Sequence, residues 1–160
     1  MIVQVIGAFV AVITLATILS IPRKFLVTTG SISALSWFVY LVCRDFKVSV
    51  AMSTLAATLA IALVSHLLAR LRKAPVTIFL IPGILPLVPG INTYRIGYYL
   101  IQDDGAQASY YFNLTLQVAG MIAIGIFIMD TFFRIMNTTI NNHYMNKLQN
   151  AMNINQEEKK

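Results

Sequence analysis

One apolar run of the chain, residues 76–101, is interrupted by helix-breaking residues that could expose backbone groups to a ligand. These are Pro82, Gly83, Pro86, Pro89 and Gly90. In a helix interior each proline removes an N–H donor and costs about 3 kcal/mol or more. The spacing therefore predicts two half-length helices, joined by unwound backbone over residues 86–91. The free N–H groups at the start of the second half can hold an anionic group such as a carboxylate.

Uncharged polar side chains near this break are the first candidates for ligand contacts. Asn92 or Thr93 is suited to cap the second half-helix, and Tyr94 follows them. Asn113 and Gln117 lie four residues apart in the next apolar run, so they share one helix face. That face either lines a pathway or forms hydrogen bonds to a neighbouring helix.

Two ionisable residues are candidates if these runs cross a bilayer, because burying a lone charge there is costly. Arg95 would follow the cap and assist in anion binding; the alternatives are extension to the membrane surface or pairing with Asp103 or Asp104. Asp130 is a candidate carrier of a coupling proton. Its alternative is a local ion pair with Arg134, four residues further along.

No other motif with a chemical function is visible in the sequence. It contains no nucleotide-binding glycine loop, metal-ligand cluster or nucleophile–base motif. His66 has no metal-binding partner nearby and is expected at the inner membrane surface, and the single Cys43 has no activating neighbour. We therefore expect neither a cofactor nor a metal, and no enzymatic activity.

The composition indicates the kind of molecule that positions these residues. The chain has 160 residues, of which 58% are apolar and 11% charged. Soluble domains are about 25% charged, so a soluble globule is excluded. The formal charge of +6 could suggest a nucleic-acid binder. The basic residues instead stand in short clusters between apolar runs, as they do in the loops of membrane proteins. We therefore expect the chain to lie in a lipid bilayer and not to bind nucleic acid.

The apolar runs predict an all-α integral membrane protein with about five transmembrane helices, the fourth broken by the Pro/Gly motif. The predicted spans are residues 2–21, 25–43, 48–69, 76–101 and 111–133. At about 1.5 Å per residue, each is long enough for a hydrocarbon core of about 30 Å. Residues 1–135 form the predicted transmembrane domain. Residues 136–160 form a cytoplasmic tail, partly helical because apolar residues recur every four positions.

The basic residues also predict the orientation. With five crossings and the N-terminus outside, nine of the twelve Lys and Arg residues lie inside. They are Arg23, Lys24, Arg70, Arg72, Lys73, Arg134, Lys147, Lys159 and Lys160. The positive-inside bias favours this arrangement. If residues 76–101 formed a re-entrant loop, the last helix would invert, which the count disfavours.

Several helix faces indicate close packing. Small residues repeat at four-residue spacing, as at Gly7 with Ala11 and Gly30 with Ala34, which lets helix backbones approach. The second span carries a polar line that lipid would not accommodate: Thr29, Ser33, Trp37 and Tyr40. These faces pack either within the chain or against a second protein.

Residues 86–94 have the pattern P-x-x-P-G-x-x-x-Y, which resembles the motif of the small membrane subunit of the threonine/serine exporter family. The chain length, the Ile-Pro-Arg turn after the first span, and Asn113 with glycines following it also fit that subunit. Four positions match the motif: Pro86, Pro89, Gly90 and Tyr94. Arg95 lies outside it, so its role depends on the physical reasoning alone.

The resemblance implies export of small amino acids, or of related small carboxylates, across the bacterial inner membrane, and this export is driven by an ion gradient. Family members occur as one long chain or as two proteins, and this chain resembles the C-terminal half. A larger membrane subunit is therefore the implied partner, with a homo-oligomer as the alternative. We expect a two-component secondary exporter that holds its substrate at the broken fourth helix. An accessory membrane protein that assembles a complex without binding substrate is the alternative.

Overall fold

The fold consists of helices packed side by side, as the composition predicts. The computed structural model describes the backbone of residues 1–157 and the side chains of residues 1–139. The helices are α1 Ile2–Ile18, α2 Arg23–Asp45, α3 Val50–Arg72, α4 Thr77–Ile84, α5 Gly90–Ile101 and α6 Gly105–Glu157. A single 3-10 turn, Leu85–Leu87, follows α4, and no strand occurs in residues 1–157. The all-α prediction is confirmed.

The helices have the length and hydropathy of membrane spans. Within the described residues, α2, α3 and the Gly105–Thr139 part of α6 are each long and apolar enough to cross a membrane. Thr77–Leu87 and Gly90–Ile101 pass the same test together, with a bend of 43° between them. Helix α1 is apolar but has only 17 residues. The protein is thus an all-α membrane protein. Five crossings stays a prediction, which requires that α1 and the bent pair each cross the membrane as well.

The last helix begins earlier than the sequence indicated. The fifth span was predicted to begin at residue 111, but α6 begins at Gly105. The reason is local: the Asp104 carboxylate accepts a hydrogen bond from the Gln107 backbone N–H at 3.0 Å and so caps the first turn. Helix α6 then continues without a break through the expected domain boundary at residue 135, to Glu157.

Helices α3 and α6 run in the same direction. The His66 ring contacts Asp130, and the Arg70 guanidinium contacts Asn137. The second contact lies about one turn further along α3 and about two turns further along α6. Since α3 and α6 are parallel, the α4–α5 segment carries the chain from one end of the bundle to the other. Residues Ala74 and Gln102 therefore lie at opposite ends.

The polar line of α2 lies inside the bundle. Thr29 and Ser33 are fully buried, and the Thr29 hydroxyl donates to the Phe25 carbonyl at 2.6 Å. Among the described residues, the hydroxyls of Ser33, Ser36 and Ser65 are buried without a hydrogen-bond partner. The interior therefore contains polar groups that lipid would not accommodate, in agreement with the sequence interpretation.

One of the small-residue pairs packs within the chain. A Cβ added at Gly30 would lie 2.8 Å from the Ile13 side chain, so α1 and α2 need this glycine to approach as closely as they do. A Cβ at Gly7 would meet nothing within 4 Å. Of the two readings left open by the sequence, internal packing therefore applies to Gly30.

Candidate functional site

The chain leaves helical geometry between α4 and α5 over a shorter stretch than predicted. Val88 has extended backbone angles (φ −61°, ψ 130°), and α5 begins directly after Pro89. The predicted unwound segment of residues 86–91 was too long, because the 3-10 turn includes Pro86 and α5 includes Gly90 and Ile91.

The cap of α5 also differs from the prediction. The N-cap residue is Pro89, and neither Asn92 nor Thr93 caps the helix. Proline fits this position because its fixed φ suits a helix start and its missing N–H is not needed there. The Thr93 hydroxyl donates to the Pro89 carbonyl at 2.9 Å, which holds the first turn closed.

A cavity of about 220 Å³ lies beside this break, and we call it the break cavity. It is open on one side and is lined by residues of α2, α3, α5, α6 and the α4–α5 connection. Its lining residues are Trp37, Tyr40, Val50, Thr54, Pro86, Leu87, Val88, Pro89, Ile91, Asn92 and Val118. The wall is mostly apolar, and its polar groups come from one tryptophan, one tyrosine, one threonine and one asparagine.

The first turn of α5 faces the break cavity. Ile91 and Asn92 both line it, and their backbone N–H groups have no hydrogen-bond partner among residues 1–139. A helix N-terminus carries a partial positive charge and free N–H donors. The cavity can therefore accept an anionic group next to an otherwise apolar wall.

The structure brings three of the predicted site residues together at this cavity, namely Pro86, Pro89 and Asn92. Gly90 begins α5 beside them but is exposed, and a Cβ there would meet nothing within 4 Å. Tyr94 is 70% exposed and stacks on Tyr98.

Arg95 lies outside the break cavity and contacts α6. Its guanidinium donates to the Tyr111 hydroxyl at 3.0 Å and lies 5.0 Å from the centre of the Tyr111 ring. The expected alternative, an ion pair with Asp103 or Asp104, is absent from the described side chains. Asn113 is exposed on α6 and also lies outside the cavity.

Two aromatic residues of the cavity were not among the predicted site residues. Trp37 and Tyr40 lie near the end of α2, with their rings stacked at 5.0 Å. Their place in the polar line of α2 was the signal that they face inward.

A second cleft of about 460 Å³ lies toward the other end of α3 and α6, and we call it the basic-end cleft. The His66 Nε2 atom lies 2.9 Å from the Asp130 Oδ1 atom across this cleft. The expected Asp130–Arg134 ion pair is not formed among the described residues. The parallel packing of α3 and α6 explains this difference, since it places the His66 ring against Phe133 and within reach of Asp130.

The family model described as "Threonine/Serine exporter, ThrE" matches residues 4–132. The chain belongs to the threonine/serine exporter family. No curated protein sequence and no solved structure shows a significant match.

Membership of the threonine/serine exporter family agrees with the resemblance seen in residues 86–94. The match includes both half-helices of the break and most of the apolar part of α6. This member of the family is therefore an exporter-type, multi-pass membrane protein of amino-acid export. The family is one of transporters, which fits the expectation that the chain is not an enzyme.

Proposed function

We propose that this chain is one membrane subunit of a two-component secondary exporter and that it holds the substrate in the break cavity. The substrate is threonine, serine or a related small carboxylate. The observation that carries the proposal is the position of the cavity: in an exporter-family chain, it lies against Pro86 and Pro89 of the family-like motif.

The size of the break cavity suits a small solute. Pockets for drug-sized ligands have volumes of about 300–1,000 Å³. At about 220 Å³, this cavity fits a molecule well below that size. It also lies between several helices, where transporters place their substrates.

The lining supplies groups for each part of an amino acid. The substrate carboxylate would accept hydrogen bonds from the free N–H groups of Ile91 and Asn92 and from the Asn92 side-chain amide. The ammonium group would lie against the open ring face of Trp37 or of Tyr40 by a cation–π interaction, because the two rings stack on each other. The Thr54 hydroxyl already donates to the Val50 carbonyl at 2.9 Å, so it would act toward the substrate as an acceptor.

The remaining predicted residues have supporting places in this proposal. Gly90 begins α5 directly after Pro89, which lines the cavity. Arg95 holds α5 to α6 through Tyr111, and so positions the first turn of α5. Tyr94 and Asn113 are exposed and would meet neighbouring molecules instead of substrate.

The larger membrane subunit of the same family is the proposed partner, and α6 is the proposed contact. Only 17% of the apolar window of α6 is buried within this chain. Asn113 and Gln117 are exposed on that helix. Since lipid does not satisfy amide side chains, a second membrane protein that forms hydrogen bonds with them is the favoured neighbour.

The proposal places the protein in the bacterial inner membrane with the N-terminus outside and the C-terminus inside. The test of the function is efflux of radiolabelled threonine, serine and a panel of small carboxylates from cells without their own exporters. The chain is expressed with and without the larger subunit. Partner-dependent efflux supports the proposal. Efflux from this chain alone would indicate a homo-oligomeric carrier, and no efflux in any combination would favour the accessory-protein reading.

A further inference from the structure

The basic-end cleft contains a pair of titratable side chains that the proposed substrate site does not use. His66 belongs to α3 and Asp130 to α6, 64 residues apart in the chain, and their Nε2 and Oδ1 atoms lie 2.9 Å apart. The His66 side chain is 12% exposed, whereas the Asp130 side chain is 62% exposed. The pair is therefore held in the bundle on one side and open to the cleft on the other.

We propose that the His66–Asp130 pair binds the proton that is exchanged for substrate; this inference rests on the proposed function. Histidine is the side chain whose charge changes most readily near neutral pH. On protonation, the free ring nitrogen of His66 forms one N–H bond and the ring becomes an imidazolium ion. Release breaks that bond again, and no other covalent bond changes. The Asp130 carboxylate compensates the positive charge throughout.

The other residues that line the cleft determine the charge around His66. Arg134 on α6 and Arg70 on α3 also line the cleft and oppose a further positive charge. The Arg70 guanidinium donates to the Asn137 side-chain oxygen and lies over the Phe133 ring, on which His66 also stacks. The lining residues from the α3–α4 connection, Ala74 and Val76, are uncharged.

The remaining charged residues at this end lie outside the cleft. Helix α2 packs against α3, but its basic residues Arg23 and Lys24 do not line the cleft. Arg72 and Lys73 at the end of α3 do not line it either. Among the described side chains, Asp130 is therefore the acidic group that faces His66.

The two sites are built on the same pair of parallel helices. Thr54 on α3 and Val118 on α6 line the break cavity, while His66 and Asp130 line the basic-end cleft. At 1.5 Å per residue, the two sites lie about 18 Å apart along either helix. A shift of α3 along α6 would change both sites, which provides a physical route by which proton binding affects substrate binding.

The test separates proton coupling from transport itself. The chain and its larger subunit are reconstituted in liposomes, and two rates of radiolabelled threonine are compared. The first is the rate at which radiolabelled threonine enters the vesicles in exchange for unlabelled threonine, with no pH gradient. The second is accumulation in vesicles with an acidic lumen, where protons leave as threonine enters.

The variants are His66→Gln, Asp130→Asn and the double variant, in which an amide pair can keep a hydrogen bond between α3 and α6 without a titratable group. Matched controls are His143→Gln, the second histidine of the chain, and Asp103→Asn, an exposed carboxylate at the other end of the bundle. We expect gradient-driven accumulation to fall about tenfold or more in the three variants while exchange is kept, which is in the usual range of coupling between sites.

Each other outcome contradicts the inference. Normal gradient-driven accumulation in the double variant would show that the pair does not bind the coupling proton. Equal loss of exchange and accumulation, with normal protein levels in the membrane, would show a structural role. Absence of exchange of threonine, of serine and of the panel of small carboxylates in the unsubstituted protein would instead refute the proposed function, so the two failures are distinguishable.

Discussion

Thr58 on α3 and Gly125 on α6 are in such close contact that a side chain at residue 125 would not fit. A Cβ atom added at Gly125 would lie 2.9 Å from the Thr58 Cγ2 atom. The contact lies between the break cavity and the basic-end cleft, and it fixes the distance between the two helices that carry both sites.

Replacing Gly125 with valine should force α3 and α6 apart. Overpacking of this kind typically costs about 1–3 kcal/mol. Gly120→Val is the matched control, because a Cβ at Gly120 on the same helix would meet nothing within 4 Å. Thermal unfolding in detergent should therefore show a lower midpoint for Gly125→Val and little change for Gly120→Val. Equal midpoints would show that the helices do not pack as described.

Asn92→Leu should weaken substrate binding without affecting assembly. The leucine side chain has a similar size but cannot donate to a carboxylate, and a hydrogen bond to a charged group is worth about 1.5–3 kcal/mol. We measure the rate of threonine efflux as a function of the intracellular threonine concentration. We expect the concentration that gives half-maximal efflux to rise at least about tenfold. Thr93→Ser is the matched control, since Thr93 does not line the cavity and serine keeps the hydroxyl that donates to the Pro89 carbonyl. Equal efflux from both variants would remove Asn92 from the site.

Arg95 and Tyr111 should act as one unit that positions α5. The single variants Arg95→Gln and Tyr111→Phe should lower stability by similar amounts and show a coupling energy of about 1 kcal/mol in a double-mutant cycle. Efflux should be reduced only moderately in both. Complete loss of efflux in Arg95→Gln with normal efflux in Tyr111→Phe would show that Arg95 binds substrate directly.

The single cysteine provides a test of the orientation. Cys43 lies near the end of α2, at the predicted outer surface, and is partly exposed. A membrane-impermeant maleimide added to intact spheroplasts should label it. In a Cys43→Ser background, Leu71→Cys at the basic end should be labelled only after lysis. The reversed pattern would mean that the N-terminus lies inside.

The sequence was sufficient for the helical class and for the position of the break because both depend on local properties. Apolar runs of about 20 residues and prolines at short spacing act through their own backbone. The length of the unwound stretch was overestimated, since the helix resumes directly after Pro89. Proline ends a helix that precedes it, but it is also favourable at the start of the next helix. The prediction took only the first effect into account.

The contacts between distant residues were not predictable in the same way. The His66–Asp130 contact joins helices whose register depends on side-chain packing, such as the fit of Thr58 against Gly125. From the sequence, the nearby Arg134 was an equally reasonable partner for Asp130. Likewise, the aromatic character of Trp37 and Tyr40 fitted a membrane surface as well as a cavity wall.

The most direct test of the break cavity uses Trp37, the single tryptophan of the chain. Because its ring lines the cavity, its fluorescence reports on the site itself. The purified chain in lipid nanodiscs is titrated with threonine, with serine and with an uncharged amide analogue. We expect a saturable change with threonine or serine, which is lost in Asn92→Leu and kept in Thr93→Ser. No saturable change with either amino acid, or the same change in Asn92→Leu, would contradict a substrate site at the break.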